Sequence, residues 1–162
     1  MPYVITAATS KDREPFLQQW LQYLHEAHAL GSPVLPNPYN MVQFRSLYDS
    51  YTVGSLRGFA IQALDPDSQV MGVVMAGESP GGFHLETNRG KLLEVWGVYV
   101  QPQARRQGLA HKMHDYGHKL AIELGFDGVV SQVRFDPAAQ ANALNWGTQG
   151  DALMIYRKLG DA

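Results

Sequence analysis

The chain of 162 residues contains no cysteine. This excludes disulfides, thiolate metal sites and a cysteine nucleophile, and it favours a reducing compartment, so the expected location is the cytoplasm. Long apolar runs are also missing, and none approaches the roughly 20 residues of a membrane span. The opening Met1-Pro2-Tyr3-Val4-Ile5-Thr6 has neither the basic nor the long apolar stretch of a secretion signal, so neither secretion nor membrane insertion is expected. Nor is there an excess of positive charge. Thirteen Lys and Arg stand against fifteen Asp and Glu, for a formal net charge of −2, and the basic residues are scattered, which argues against a nucleic-acid partner. Hydrophobic residues make up 45% of the chain, an ordinary share for a globule. The length suits one domain over residues 1–162 with a core that needs no staples.

The pattern runs without repeats or shifts of composition. Tyr3 to Ala8 reads as a strand. Thr9 or Ser10 then caps a helix that has Asp12, Glu14 and Pro15 near its start and apolar residues at helical spacing from Phe16 through Trp20, Leu24 and Ala27 to Leu30. The Pro-rich stretch Gly31 to Pro38 breaks it, and Met41, Phe44, Leu47, Tyr48 and Tyr51 mark a second helix. Gly58 to Leu64 and Val70 to Gly77 read as strands joined by the turn-forming Asp65-Pro66-Asp67-Ser68-Gln69. Ser79 to Gly90 reads as a surface loop, and Lys91 to Gln101 as the next strand. Leu109, Met113, Tyr116, Leu120 and Leu124 line a third helix that ends at Gly125. A strand from Asp127 to Phe135, a short helix from Pro137 to Trp146 and a last strand from Asp151 to Lys158 complete the order β-α-α-β-β-β-α-β-α-β.

The most informative segment is Val98-Tyr99-Val100-Gln101-Pro102-Gln103-Ala104-Arg105-Arg106-Gln107-Gly108-Leu109-Ala110. An apolar strand passes through a short polar turn into a helix, whose first N–H groups lack partners and carry the positive end of the macrodipole, which makes an anion cradle. Gly108 permits close backbone approach, Ala110 keeps the first turn open, and Arg105 and Arg106 add positive charge. The spaced glycines of a dinucleotide fingerprint and the Gly-Lys-Ser/Thr of a P-loop are both missing here. The order Arg105-x-x-Gly108-x-Ala110 resembles the pyrophosphate-binding motif of the GCN5-related N-acetyltransferases (GNAT). The resemblance implies an α/β (α+β) fold with a mixed, mostly antiparallel sheet and helices on both faces. It further implies acetyl-CoA as cofactor, held by the backbone of Arg105, Arg106, Gln107, Gly108, Leu109 and Ala110, with Val98, Tyr99 and Val100 along pantetheine and the acetyl group.

Acetyl transfer to a primary amine by direct attack needs an unprotonated amine, a polarised carbonyl and a stabilised thiolate. Glu94 is a lone carboxylate within Leu92-Leu93-Glu94-Val95-Trp96-Gly97-Val98, where desolvation would penalise its charge and suit it to accept a proton. It stands eleven positions before Arg105, where the resemblance places a catalytic Glu. The alternative is a solvated strand end paired with a surface arginine. Gly97 marks a bulge or a close backbone approach. The resemblance also implies an Asn-x-x-Ala-x-x-x-Tyr pattern on the last helix with the Tyr as acid. Here Trp146 stands at the Tyr and Ala139 at the Asn, which leaves Asn142 as a displaced cofactor contact, with capping and surface solvation as the alternative, and Tyr156 as a substitute acid, against which a strand aromatic packed in the core is the stronger reading.

His114 and His118 have the i, i+4 spacing of zinc ligands, but helical periodicity assigns them to a solvated face. Tyr23, His25, His28, Tyr48 and Tyr51 are candidates to line an acceptor pocket, which the resemblance places at the first two helices, with core packing as the alternative. The acceptor is expected to be a small-molecule or peptide amine. A shortened last strand would leave a sheet edge able to pair with a second copy as a homodimer. A non-catalytic acyl-CoA-binding module and an interaction domain without cofactor are the rival readings.

Overall fold

The computed structural model describes residues 2–32, 34–79, 86–87 and 90–131. Strand β1 (Val4–Ala7) leads into helix α1 (Arg13–Ala29), α2 (Pro38–Val53), strands β2 (Gly58–Leu64), β3 (Val70–Gly77), β4 (Glu86–Thr87) and β5 (Gly90–Val100), helix α3 (Leu109–Glu123) and strand β6 (Gly128–Ser131). This is the expected order with the two-residue β4 added inside the anticipated loop. The expected last helix and last strand lie outside the described residues.

Local chemistry sets the boundaries. Thr9 and Asp12 form a capping box around a 3-10 turn before α1, satisfying two orphan donors reciprocally. The Asn37 side chain accepts from the Asn40 N–H at 2.9 Å, so Pro38, which reads as a breaker, is instead the first residue of α2, where its missing N–H costs nothing. The Asp65 carboxylate accepts from the N–H groups of Asp67 and Gln69 at 2.9 and 2.8 Å and closes the β2–β3 turn.

The strands run in the order β1-β2-β3-β5-β4, and β6 also pairs with β5. All pairings are antiparallel except β5 with β6. One face of the sheet packs on α1 and α2 around Phe16, Trp20, Tyr48 and Tyr51. The other packs on α3 around Ile61, Leu93, Leu109 and Met113. The expected mixed sheet with helices on both faces is therefore what forms.

One close approach organises the α1–α2 face. Gly58 and Gly77 are cross-strand partners, and the Tyr51 ring lies against both. A Cβ on Gly58 would stand 2.5 Å from Tyr51 Cε1, and one on Gly77 would stand 2.6 Å from Tyr51 Cζ. Gly77→Ala is accordingly expected to destabilise the fold by about 1–3 kcal/mol through overpacking. The check is the denaturant midpoint at constant slope; an unchanged midpoint would mean that the ring does not occupy this slot.

Candidate functional site

Strand β5 carries the site. Against β3 its register runs Met75 with Gly97 and then Ala76 with Val95, so Trp96 is an extra residue and forms a bulge. The bulge expected at Gly97 therefore falls one residue earlier. The close approach at Gly97 also exists, but from a side chain: a Cβ there would lie 2.5 Å from Tyr23 Cε1. On its opposite edge β5 pairs with β6 over Leu92–Val95. Among the described residues no strand continues that pairing beyond Val95. Ser131, the partner of Val95, is also the last of the described residues. Tyr99 faces the α1–α2 core, while Val98 and Val100 pack towards α3.

The turn that follows is left-handed at two positions. After a 3-10 turn at Pro102–Ala104, Arg106 takes φ +61° and Gly108 φ +73°, both left-handed, and α3 starts without a side-chain cap. Among the described residues no side chain caps the first N–H groups of α3, which have the positive end of the helix dipole behind them. Leu109, 2% exposed, anchors the turn in the core. Among the described residues nothing stands within 4 Å of where a Gly108 Cβ would point. Glycine is needed there for its φ, and the space in front of it is open.

The two arginines behave differently from each other. Arg106 is exposed. The Arg105 guanidinium donates to the Val100 carbonyl at 2.9 Å and to Glu26 of α1 at 2.7 Å, and it lies over the Tyr99 ring. Its charge ties the turn to α1 and to the end of β5 rather than pointing freely at the cradle.

Glu94 lies between Leu93 and Val95, which pack towards α3, so strand alternation turns it to the α1–α2 face. It is half-buried, less enclosed than its apolar neighbours in sequence imply, and its Oε2 accepts from the Ser79 hydroxyl at 2.9 Å. Ser79 is a contact that the sequence reading missed, because its only signal was membership of a polar loop. Beside it the Trp96 indole N–H donates to the Tyr51 hydroxyl at 2.9 Å.

The other candidates separate. Tyr48 is fully buried and donates to the Thr9 carbonyl, and His28 bonds the Ser32 carbonyl through Nδ1 at 3.0 Å; both serve the fold. His25 is exposed. Tyr23 and Tyr51 lie near β5. His114 departs from the solvated face assigned to it: it is half-buried and lines a small apolar pocket with Phe59, Val74, Met113 and Gly117. Burial lowers its pKa, the neighbouring His118 and His111 act in the same sense, and Asp115 opposes them. Among the described residues no group of three or more His, Asp or Glu side chains is placed to hold a metal ion, and no helix is long and apolar enough to cross a membrane. Asn142, Trp146 and Tyr156 lie outside the described residues.

Fold and site together define a mixed α/β domain in which the central strand β5 leads through a left-handed turn into α3. The chain belongs to the acetyltransferase (GNAT) family, whose model it matches over residues 17–144. Solved structures share the fold at low identity. A predicted acetyltransferase from Clostridium acetobutylicum, solved with acetyl-CoA, has a TM-score of 0.72 and 14% identity over 90% of this chain and 89% of that one. A GNAT family acetyltransferase from Brucella melitensis in complex with acetyl-CoA gives 0.60 and 14% over 86% and 81%. An aminoglycoside antibiotic 6'-N-acetyltransferase from Acinetobacter baumannii gives 0.59 and 15% over 90% and 88%. A comparison with curated proteins finds no match.

Proposed function

We propose that the protein is an acetyl-CoA-dependent N-acetyltransferase acting on a primary amine by direct attack. The observation that carries this is the continuous path from the end of β5 at Val98–Val100 through the left-handed turn at Arg106 and Gly108 to α3, which starts without a side-chain cap. The backbone of Arg105 to Ala110 fits a pyrophosphate, and the backbone of Val98 to Val100 fits an amide-bearing arm laid along a strand edge. Acetyl-CoA supplies the activated acetyl thioester. Glu94 takes the proton from the acceptor amine, directly or through a water, with Ser79 fixing its carboxylate. The amine class of the acceptor is supported by family membership and by the 6'-N-acetyltransferase among the structures of the same fold. Tyr156 stays the candidate for the proton returned to the thiolate.

Thermal unfolding with acetyl-CoA is the first test. At a hundred times its dissociation constant the ligand should stabilise the fold by ~2.7 kcal/mol, or roughly 5–10 °C for a domain of this size. No shift would favour an interaction domain without cofactor. A shift without thiol release against a panel of amines would favour a binding module.

A further inference from the structure

We infer that Tyr51 is a positioning residue for acetyl transfer, acting through Trp96 to fix the bulge of β5 between Glu94 and the Gly97–Val98 backbone. The inference rests on the acetyl-transfer reading above. Trp96 is the extra residue in β5, and a bulge is the part of a strand least held by the ladder, because its added residue has no partner across. Here the side chain supplies the missing restraint. The indole N–H donates to Tyr51 Oη at 2.9 Å, and Tyr51 Oη–H donates to the Glu78 carbonyl at 2.6 Å.

The anchor is itself held. The Glu78 carboxylate accepts from the Arg57 N–H at 2.9 Å and from Arg57 Nε at 2.7 Å. Arg57 in turn donates to the Leu124 carbonyl beyond the end of α3 at 3.3 Å and lies over the Phe126 ring. Tyr51 is 4% exposed, its ring set in the slot left by Gly58 and Gly77, so its hydroxyl has one place to be. Burial, together with the nearby Glu94 and Glu78 carboxylates, pushes its pKa above the ordinary value of 10.0, although the Trp96 bond works the other way. The hydroxyl therefore stays protonated and keeps donating at every working pH. Two residues before Trp96, Glu94 faces the same helices; directly after it comes the Gly97–Val98 backbone, which rejoins the β3 ladder. Rotation of the bulge would displace both.

The test separates the hydroxyl from the ring. Tyr51→Phe keeps the ring in its slot and removes both hydrogen bonds. It is expected to lower kcat about ten- to a hundredfold, as a misplacement of about 1 Å does, with acetyl-CoA affinity within twofold of the parent. The Trp96 indole N–H resonance should move, together with the amide signals of Glu94 to Val98. Trp96→Phe removes the donor instead and should give the same loss, with no further loss in the double variant. It also serves if Tyr51→Phe folds poorly. A merely structural Tyr51 would lower stability and leave kcat and the β5 amides alone, and that result overturns the inference. A parent that binds acetyl-CoA but acetylates no amine sinks the transfer reading. The indole and amide shifts would then show a clamp without a reaction to serve, which also overturns the positioning role.

Discussion

Gly108→Val is expected to weaken acetyl-CoA binding by about ten- to a hundredfold while leaving the fold intact. The residue sits at φ +73° as the cap of α3, and a β-branched side chain held in that region costs on the order of 1–3 kcal/mol. The chain can respond in two ways. It can keep the turn and carry the strain, in which case the new methyl groups fill the open space in front of Gly108 where a phosphate would have to sit. It can instead rotate the Gln107–Gly108 peptide towards a common conformation, which relieves the strain but turns the cradle N–H groups away from one another. Both routes cost binding, and each 1.4 kcal/mol is a factor of ten. Gly108→Ala should fall between Val and the parent, since a lone Cβ in the left-handed region costs about 1–2 kcal/mol and blocks less space. Titration calorimetry with acetyl-CoA is the measurement. Equal affinities in all three proteins would remove the turn from cofactor binding and leave Arg106 and Gly108 as an ordinary helix entry.

That turn was legible because its signal is local. Arg105-x-x-Gly108-x-Ala110 between an apolar strand and an amphipathic helix needs only near neighbours in sequence to be read, as do the Thr9 cap and the Asp65 turn. What stayed hidden depends on contacts between distant segments. The charge of Arg105 reads as a gift to the cradle until Glu26, on a helix far earlier in the chain, is seen to take it. The slot for Tyr51 exists only because the β2–β3 register sets Gly58 opposite Gly77, and a one-residue slip would abolish it. Periodicity assigns His114 to the solvated face because it treats a helix as if one stripe faced the core. Gly117, where a Cβ would lie only 3.2 Å from Ile61 Cδ1, lets α3 sit close to the sheet and brings the flanking His114 partly inside. The bulge had one sequence hint, Gly97, and the hint pointed to a close approach while the extra residue was its neighbour.

Glu94→Gln is expected to lower turnover about a hundred- to ten-thousandfold, the usual worth of a positioned general base. Affinity for acetyl-CoA should change less than twofold. The substitution is isosteric, and its amide oxygen can still accept the Ser79 hydroxyl, so the local packing survives and only the basicity is lost. Cofactor affinity should be spared because Glu94 faces the α1–α2 side of β5, whereas the turn proposed for the phosphates lies beyond the end of the strand and opens α3 on the other side of the sheet. Loss of kcat alone would not separate a base from a side chain that merely orients the acceptor, so the acceptor itself must be varied. An alkyl amine reaches the site largely as its ammonium form at neutral pH and must surrender a proton before it can attack. An aryl amine or an acyl hydrazide is already neutral and needs no base for that step. If Glu94 is the base, Glu94→Gln should cripple the alkyl amine and cost the weakly basic acceptor far less, and the deficit on the alkyl amine should shrink as pH rises towards the pKa of that amine. An equal loss on both acceptors at every pH would make Glu94 an orienting group. Deprotonation would then belong to solvent, and the Ser79–Glu94 pair would matter for shape rather than for proton transfer.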